Sequence, residues 1–156
     1  MNKIYFSKSP NTRGIRNNNP FNIVRSSSRW LGKVDSTDKK FEQFSNMEYG
    51  VRAGVLLLRN YIRKSRDSVS RVPINTLSRI INRFAPCSDG NDTESYISFV
   101  QQYFASSLGE SISRDYVFKY PSSEFATLCC AIMFYESQYF VPESHIYYII
   151  NKFKIY

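Results

Sequence analysis

The sequence predicts a mainly α domain of the α+β kind, a single unit with one small irregular or β lobe near its N-terminus. Three observations predict it. From Ser45 onward, apolar residues recur at i, i+3 and i+4 in successive segments separated by Pro, Gly and Ser breaks. Before that, Arg13 to Phe44 is rich in Asn, Ser and Gly with scattered aromatics at Phe21, Trp30, Phe41 and Phe44, a pattern of loops and short extended pieces. Finally, 156 residues of which 42% are apolar and 16% aromatic suit one core that buries roughly two thirds of the unfolded surface.

In chain order, residues 1–12 are polar and basic and read as a flexible lead-in to a domain spanning 13–156. Ser45 followed three residues later by Glu48 is a capping-box pattern, and Val51, Val55, Leu58 and Ile62 then carry a helical stripe to about Lys64. Arg63 to Val72 reads as a charged surface loop. A second helix starts near Thr76, capped by Asn75, and runs through Leu77, Ile80, Ile81 and Phe84 before Pro86 stops it. A third follows Asn91 or Asp92 with the stripe Tyr96, Phe99, Val100, Tyr103 and Phe104. After a loop around Gly109, a fourth starts at Ser122 or Ser123, and a short helix from Glu143 ends the chain.

The fourth helix carries the most informative residue. Phe125, Leu128, Cys129, Ile132 and Met133 form a core-facing stripe, and Glu136 is its next position. A carboxyl there meets apolar neighbours and the negative end of a helix, both of which favour the protonated form near neutrality. A glycosidase needs a proton donor of that kind. The alternative is that the helix frays at Tyr135 and Glu136 turns into water.

Twenty-one Lys and Arg against thirteen Asp and Glu leave +8, which attracts polyanions such as nucleic acid, anionic lipid, or a cell wall bearing carboxylates and teichoic acids. The basic residues read as dispersed rather than gathered on one helix or arm, which speaks against nucleic acid as the partner. No segment approaches the roughly 18 apolar residues of a membrane span, and Met1 to Phe6 lacks the apolar run of a signal peptide. Three cysteines cannot all pair internally, and adjacent Cys129 and Cys130 read as small core residues. His145 is the sole histidine and has no nucleophile motif near it, so a hydrolytic triad is disfavoured. No His/Cys spacing suggests a metal and no Gly-rich loop a phosphate, so no cofactor is expected.

Several other residues carry two readings each. Glu48 is either a second carboxylate in a cleft or the capping-box partner of Ser45. Asp38 and Asp35 could supply a base or nucleophile, or cap turns with their own backbone. Asn17, Asn18, Asn19 and Asn22 suit N-acetyl and hydroxyl groups of a glycan, and Asn also tolerates left-handed backbone. Trp30 could stack on a sugar or pack the lobe onto the helices. Arg16 and Arg52 could hold carboxylates or wall anions, or be solvated surface.

The segment Arg13-Gly14-Ile15-Arg16-Asn17-Asn18-Asn19-Pro20-Phe21-Asn22-Ile23 closely resembles the opening of a family of phage and prophage proteins labelled virion structural or lysozyme-like proteins. Trp30-Leu31-Gly32, Asp38 with Phe41 and Phe44, and Met47-Glu48-Tyr49-Gly50-Val51-Arg52-Ala53 resemble its next motifs. Ile80 to Pro86 and Asn91 to Tyr96 resemble two later ones, so the resemblance covers roughly residues 13–145. Phe21 departs from a usual Gly, Gly90 from a usual Glu, and Ser137-Gln138 from a small residue plus Gly. The last departure leaves the turn after Glu136 in question.

A weaker resemblance is to cell-wall N-acetylglucosaminidases of the lysozyme-like superfamily, in which a helix ending in Glu-Ser precedes Asn-Asn-x-Phe-Gly-Ile, Trp-x-Gly and an aromatic segment. Here Asn18 to Ile23, Trp30 to Gly32 and Phe41 to Phe44 keep that order, but Glu136-Ser137 comes last. A circular permutation would then set Glu136-Ser137 beside the Asn18-Asn19 loop. These resemblances imply a lysozyme-like domain that cleaves the glycan strand of peptidoglycan, as a muramidase or N-acetylglucosaminidase. Glu136 would be the acid, Glu48 or Asp38 the second group, and Arg16, Asn18, Asn19, Asn22, Trp30 and Tyr96 the substrate-binding residues. Lytic transglycosylation, or a wall-binding virion protein without activity, are the alternatives. The expected partners are peptidoglycan strands, with a virion, a secretion apparatus or an inhibitory immunity protein beside them; neither nucleic acid nor membrane insertion is expected. Without an export signal, the chain would be made in the cytoplasm and delivered to the periplasmic wall.

Overall fold

The computed structural model describes residues 10–156, so most of the segment read as a lead-in lies outside the described residues. The fold is mainly α, as the sequence predicts. A short helix α1 (Arg13–Arg16) opens it, followed by a two-stranded antiparallel sheet, β1 (Lys33–Val34) and β2 (Gln43–Phe44), with Lys33 opposite Phe44. An isolated bridge between Val24 and Phe41 extends this pairing, and together these pieces make the N-terminal lobe. Five helices follow: α2 (Met47–Arg63), α3 (Leu77–Phe84), α4 (Thr93–Leu108), α5 (Ser123–Ser137) and α6 (Glu143–Lys152).

The caps explain where the helices begin. The Asn46 side chain accepts from the Tyr49 N–H at 3.2 Å, so α2 is capped one residue after Ser45. Glu48 is therefore not the reciprocal partner of a Ser45 cap. Thr76, rather than Asn75, caps α3, because the backbone carbonyl of Asn75 is engaged by the Phe118 N–H. Asp92 caps α4 and Ser122 caps α5. Gly109 ends α4 with φ of +79°, a left-handed residue that satisfies the last carbonyls.

Helix α5 is the centre of the domain. Every residue from Phe125 to Met133 is buried, which is the pattern of a helix covered on all sides, and α4 and α6 pack along it. Burying its larger side chains contributes roughly 1.5–3 kcal/mol each before entropy is counted. Cys129 and Cys130 lie inside this layer as free thiols, and burial pushes both upward, Cys130 to about 12.

The lobe docks on α2 through positions that carry no side chain. A Cβ on Gly50 would stand 1.8 Å from the Asn18 carbonyl oxygen, and one on Gly54 would stand 2.0 Å from the Phe21 ring. The ring of Phe21, fully buried, occupies the space that Gly54 leaves, which accounts for an aromatic residue at that point of the loop. No helix among the described residues is long and apolar enough to cross a membrane.

Candidate functional site

The site forms where the lobe meets the C-terminal end of α5. Thr12 caps α1, accepting from the Ile15 N–H at 3.4 Å, and its hydroxyl donates to the backbone carbonyl of Ser137 at 2.7 Å. The Ser137 hydroxyl donates in turn to the Pro20 carbonyl at 2.9 Å. Gly14 lies against this junction so closely that a Cβ there would be 1.9 Å from the Ser137 Oγ. Residues 12–22 are thereby fastened to α5, and Glu136-Ser137 lies beside the loop of asparagines.

The turn after Glu136 keeps the geometry a glycine would give. Gln138 adopts φ of +53°, and its N–H reaches back to the Met133 and Phe134 carbonyls. Holding a non-glycine residue there costs roughly 1–2 kcal/mol, which the surrounding contacts offset.

Glu136 is largely covered by its neighbours, and burial holds its carboxyl above the ordinary glutamate value. The Asn22 amide donates to its Oε1 at 3.1 Å and to its backbone carbonyl at 3.1 Å, which draws the pKa part of the way back down. Lys40 acts in the same direction through space. Asn22 holds φ of +52°, a conformation asparagine adopts more readily than most residues. The Tyr96 hydroxyl faces the same carboxyl and, like Asn22, favours its charged form; it is buried, its own pKa is raised well above the usual phenol value by burial and by Glu136, and it lies beyond normal hydrogen-bond distance of any described partner. Tyr135 stacks on the Tyr96 ring with centroids 3.8 Å apart, closing the far side. Asn22 Oδ1 is likewise buried without a partner. Two unsatisfied polar atoms beside a buried carboxyl are the arrangement expected where a ligand or water must be gripped.

The remaining candidates are distributed elsewhere. Asn19 is fully buried and structural: its amide donates to the Ile23 and Glu42 carbonyls, and its Oδ1 accepts from the Ile23 N–H. Asn18, at φ +51°, donates to the Phe44 carbonyl at 3.0 Å. Asp38 is clamped by the Arg13 guanidinium at 2.6 and 2.7 Å, by the Asn17 amide, and by the Lys40 and Phe41 N–H groups, and is held well below the usual carboxylate range. Glu48 faces α6, accepting from the Tyr148 hydroxyl at 3.0 Å and from the Lys152 ammonium, which lowers its pKa. Arg16 donates to the Asn11 carbonyl, and Arg52 lies 5.7 Å over the Phe153 ring. Trp30 is half-buried, packed against the core with its indole N–H unpartnered. Of the residues singled out from the sequence, Glu136, Asn22 and Tyr96 come together.

Sequence reasoning missed Glu42. Its side chain is 1% exposed and pairs with the Lys33 ammonium at 2.9 Å, a charge held beneath the lobe. The signal was its place between Phe41 and Phe44 in an extended segment, where alternation turns Glu42 and Phe44 to the same side.

No family model matches the sequence. The chain is 40% identical over 92 residues to Protein P5 of Pseudoalteromonas phage PM2, an alignment covering 56% of this chain and 52% of the relative. It therefore spans about half the length of the curated relative it matches, and its similarity is to a phage protein.

Proposed function

We propose that this protein cleaves the glycan strand of peptidoglycan with Glu136 as general acid, in a lysozyme-like arrangement. The observation that carries the reading is the Glu136 carboxyl: largely covered, raised in pKa, oriented by Asn22 and faced by an unpartnered tyrosine hydroxyl. A protonated carboxyl at the glycosidic oxygen would transfer its proton as the C1–O bond breaks, the departing sugar leaving as a free hydroxyl. Water adding to C1 would return a proton to the Glu136 carboxylate and restore the acid. Asn22 and Tyr96 would hold that carboxylate between the two steps.

A second reading, lytic transglycosylation, is favoured by one observation. Asp38 is locked by Arg13, Asn17 and two backbone N–H groups, and Glu48 by Lys152 and Tyr148, so neither is an idle second carboxylate. In that reaction the substrate's own C6 hydroxyl attacks C1 and gives its proton to Glu136, so one carboxyl suffices. Similarity to a phage protein supports a phage-related setting, with association with a virion as the delivery route we propose to the wall.

Incubation with purified sacculi and mass analysis of the soluble products tests this. Reducing ends support hydrolysis and anhydro ends transglycosylation; intact sacculi carrying bound protein would overturn the enzymatic reading and leave a wall-binding role.

A further inference from the structure

The positive charge is concentrated, contrary to its dispersed look in the sequence. Between Tyr49 and Ser88 lie eight of the 21 Lys and Arg and one of the 13 acids, Asp67, a local excess of +7, whereas the chain beyond Ser88 has more acids than bases. In space it forms α2, the turn that follows, and α3. Among the described residues the segment after α2 and helix α3 border a cleft of about 300 Å³ lined by Asp67, Ile74, Ser78, Arg79, Asn82 and Arg83.

Arg79 and Arg83 stand one turn apart on α3, both exposed, and neither has an ion-pair partner among the described residues. The contrast with Arg114 is direct: that guanidinium is occupied by Glu94 at 2.7 and 3.1 Å. Arg83 is steadied over the Tyr61 ring at 6.0 Å. The one acid at the cleft is committed to shaping the turn, since Asp67 Oδ1 accepts from the Val69 and Ser70 N–H groups and from the Ser70 hydroxyl. Two guanidinium forks converging on one cleft match the oxygens of a phosphate.

The turn beside the cleft adds a second feature. Val69 at its tip is 89% exposed, and Lys64, Arg66 and Arg71 around it are all exposed. An apolar tip ringed by cations is the pattern of a loop that meets an anionic bilayer, the cations at the headgroups and the apolar side chain at the acyl boundary. Nucleic acid fits less well, because no aromatic side chain lines the cleft to stack on a base.

We propose that the α2–α3 cleft and its adjoining turn dock on an anionic phospholipid surface, a headgroup phosphate lying between Arg79 and Arg83 and Val69 entering the interface. This docking is peripheral and is independent of the assignment of Glu136. It would hold the protein beside the membrane while the opposite partner, the wall, remains in reach.

Co-sedimentation of the full chain with vesicles of phosphatidylcholine, alone or mixed with phosphatidylglycerol, tests it. Binding is expected only to the mixed vesicles and should weaken as salt shortens the Debye length. Arg79→Gln with Arg83→Gln should lower partitioning by roughly 25-fold, about fivefold per cation near a charged surface, with an unchanged Tm because both side chains are exposed. Val69→Ser should weaken it severalfold more. Equal binding to neutral vesicles, or a double variant that binds like the parent, overturns the proposal. If inorganic phosphate displaces the chain from the vesicles and Val69→Ser has no effect, the cleft is a site for a phosphate ion and the lipid assignment fails. Tighter, Arg79/Arg83-dependent binding to single-stranded DNA at the same salt reassigns the cleft to nucleic acid.

Discussion

The Asn22 side-chain amide donates to both the backbone carbonyl and the carboxyl of Glu136, each at 3.1 Å, joining two residues 114 positions apart. One amide thus fixes the end of α5 and the direction of the carboxyl that stands there. It can do so because Asn22 takes a left-handed backbone that turns its side chain toward the helix, and because Gly14 lets the loop approach Ser137. The same amide opposes the effect of burial on the Glu136 pKa, as Tyr96 and Lys40 also do, so one contact bears on both orientation and proton affinity.

Glu136→Gln removes the transferable proton while keeping the shape and the hydrogen bond from Asn22. Wall-degrading activity should fall by roughly 100-fold or more. Stability should respond to pH in a defined way. A carboxyl raised above its unfolded value of 4.5 leaves folding unpenalised below that pH and costs stability as pH rises through the folded pKa. Thermal melts should therefore show the Gln variant equal to the parent in acid and more stable than it at neutral and higher pH. A variant that is folded and as active as the parent would remove Glu136 from the mechanism.

Asn22→Gly preserves the left-handed backbone and deletes the amide. Losing a donor that favours the carboxylate raises the Glu136 pKa further, so the alkaline limb of the pH–rate profile, where the acid is lost, should move to higher pH. Released product measured across pH gives the shift directly. An unmoved limb with reduced activity throughout would mean that Asn22 only positions the helix end.

Glu48→Gln tests a different side of the molecule. Glu48 ties α2 to α6 through Tyr148 and Lys152, and its side chain is about one third exposed, so the ion pair should be worth no more than about 1 kcal/mol. Because the pairing lowers its pKa below 4.5, that contribution is present above the unfolded value and disappears as pH falls through the folded one. Activity on sacculi should be unchanged. A large loss of activity at constant Tm would return Glu48 to the catalytic site.

The helices were legible because their periodic apolar faces and their caps are local signals; only the cap positions at Asn46 and Thr76 shifted by one residue, where neighbouring polar side chains compete for the same role. Glu136 was legible for a related reason, as a charge on a core-facing stripe. The short helix α1 was not, since four residues carry no period and its stability comes from Ser137, far away in sequence. Long-range polar pairing also hid Glu48 behind a capping pattern that it does not use, and hid Glu42 and its Lys33 partner altogether. The cleft beside Arg79 and Arg83 was not legible because it needs α3 to pack against the turn that holds Asp67, a tertiary contact that no run of charge in the sequence marks.

Gly14 is buried, and a methyl group there would meet the Ser137 Oγ at 1.9 Å, the Asn19 carbonyl and the Asn22 Oδ1 at 2.9 Å each. None of these can move freely, since Ser137 is bonded to Pro20 and Asn19 to Ile23 and Glu42. Gly14→Ala should therefore cost about 1–3 kcal/mol, the usual range for overpacking, although alanine is the better helix former at an exposed site. Because the displaced atoms include Asn22, activity should fall at temperatures where the variant is still folded, and the pH–rate profile should shift in the same sense as for Asn22→Gly. A stable, fully active Gly14→Ala variant would show that the loop can leave α5 without disturbing the acid, and the coupling between Asn22 and Glu136 would then have no functional weight.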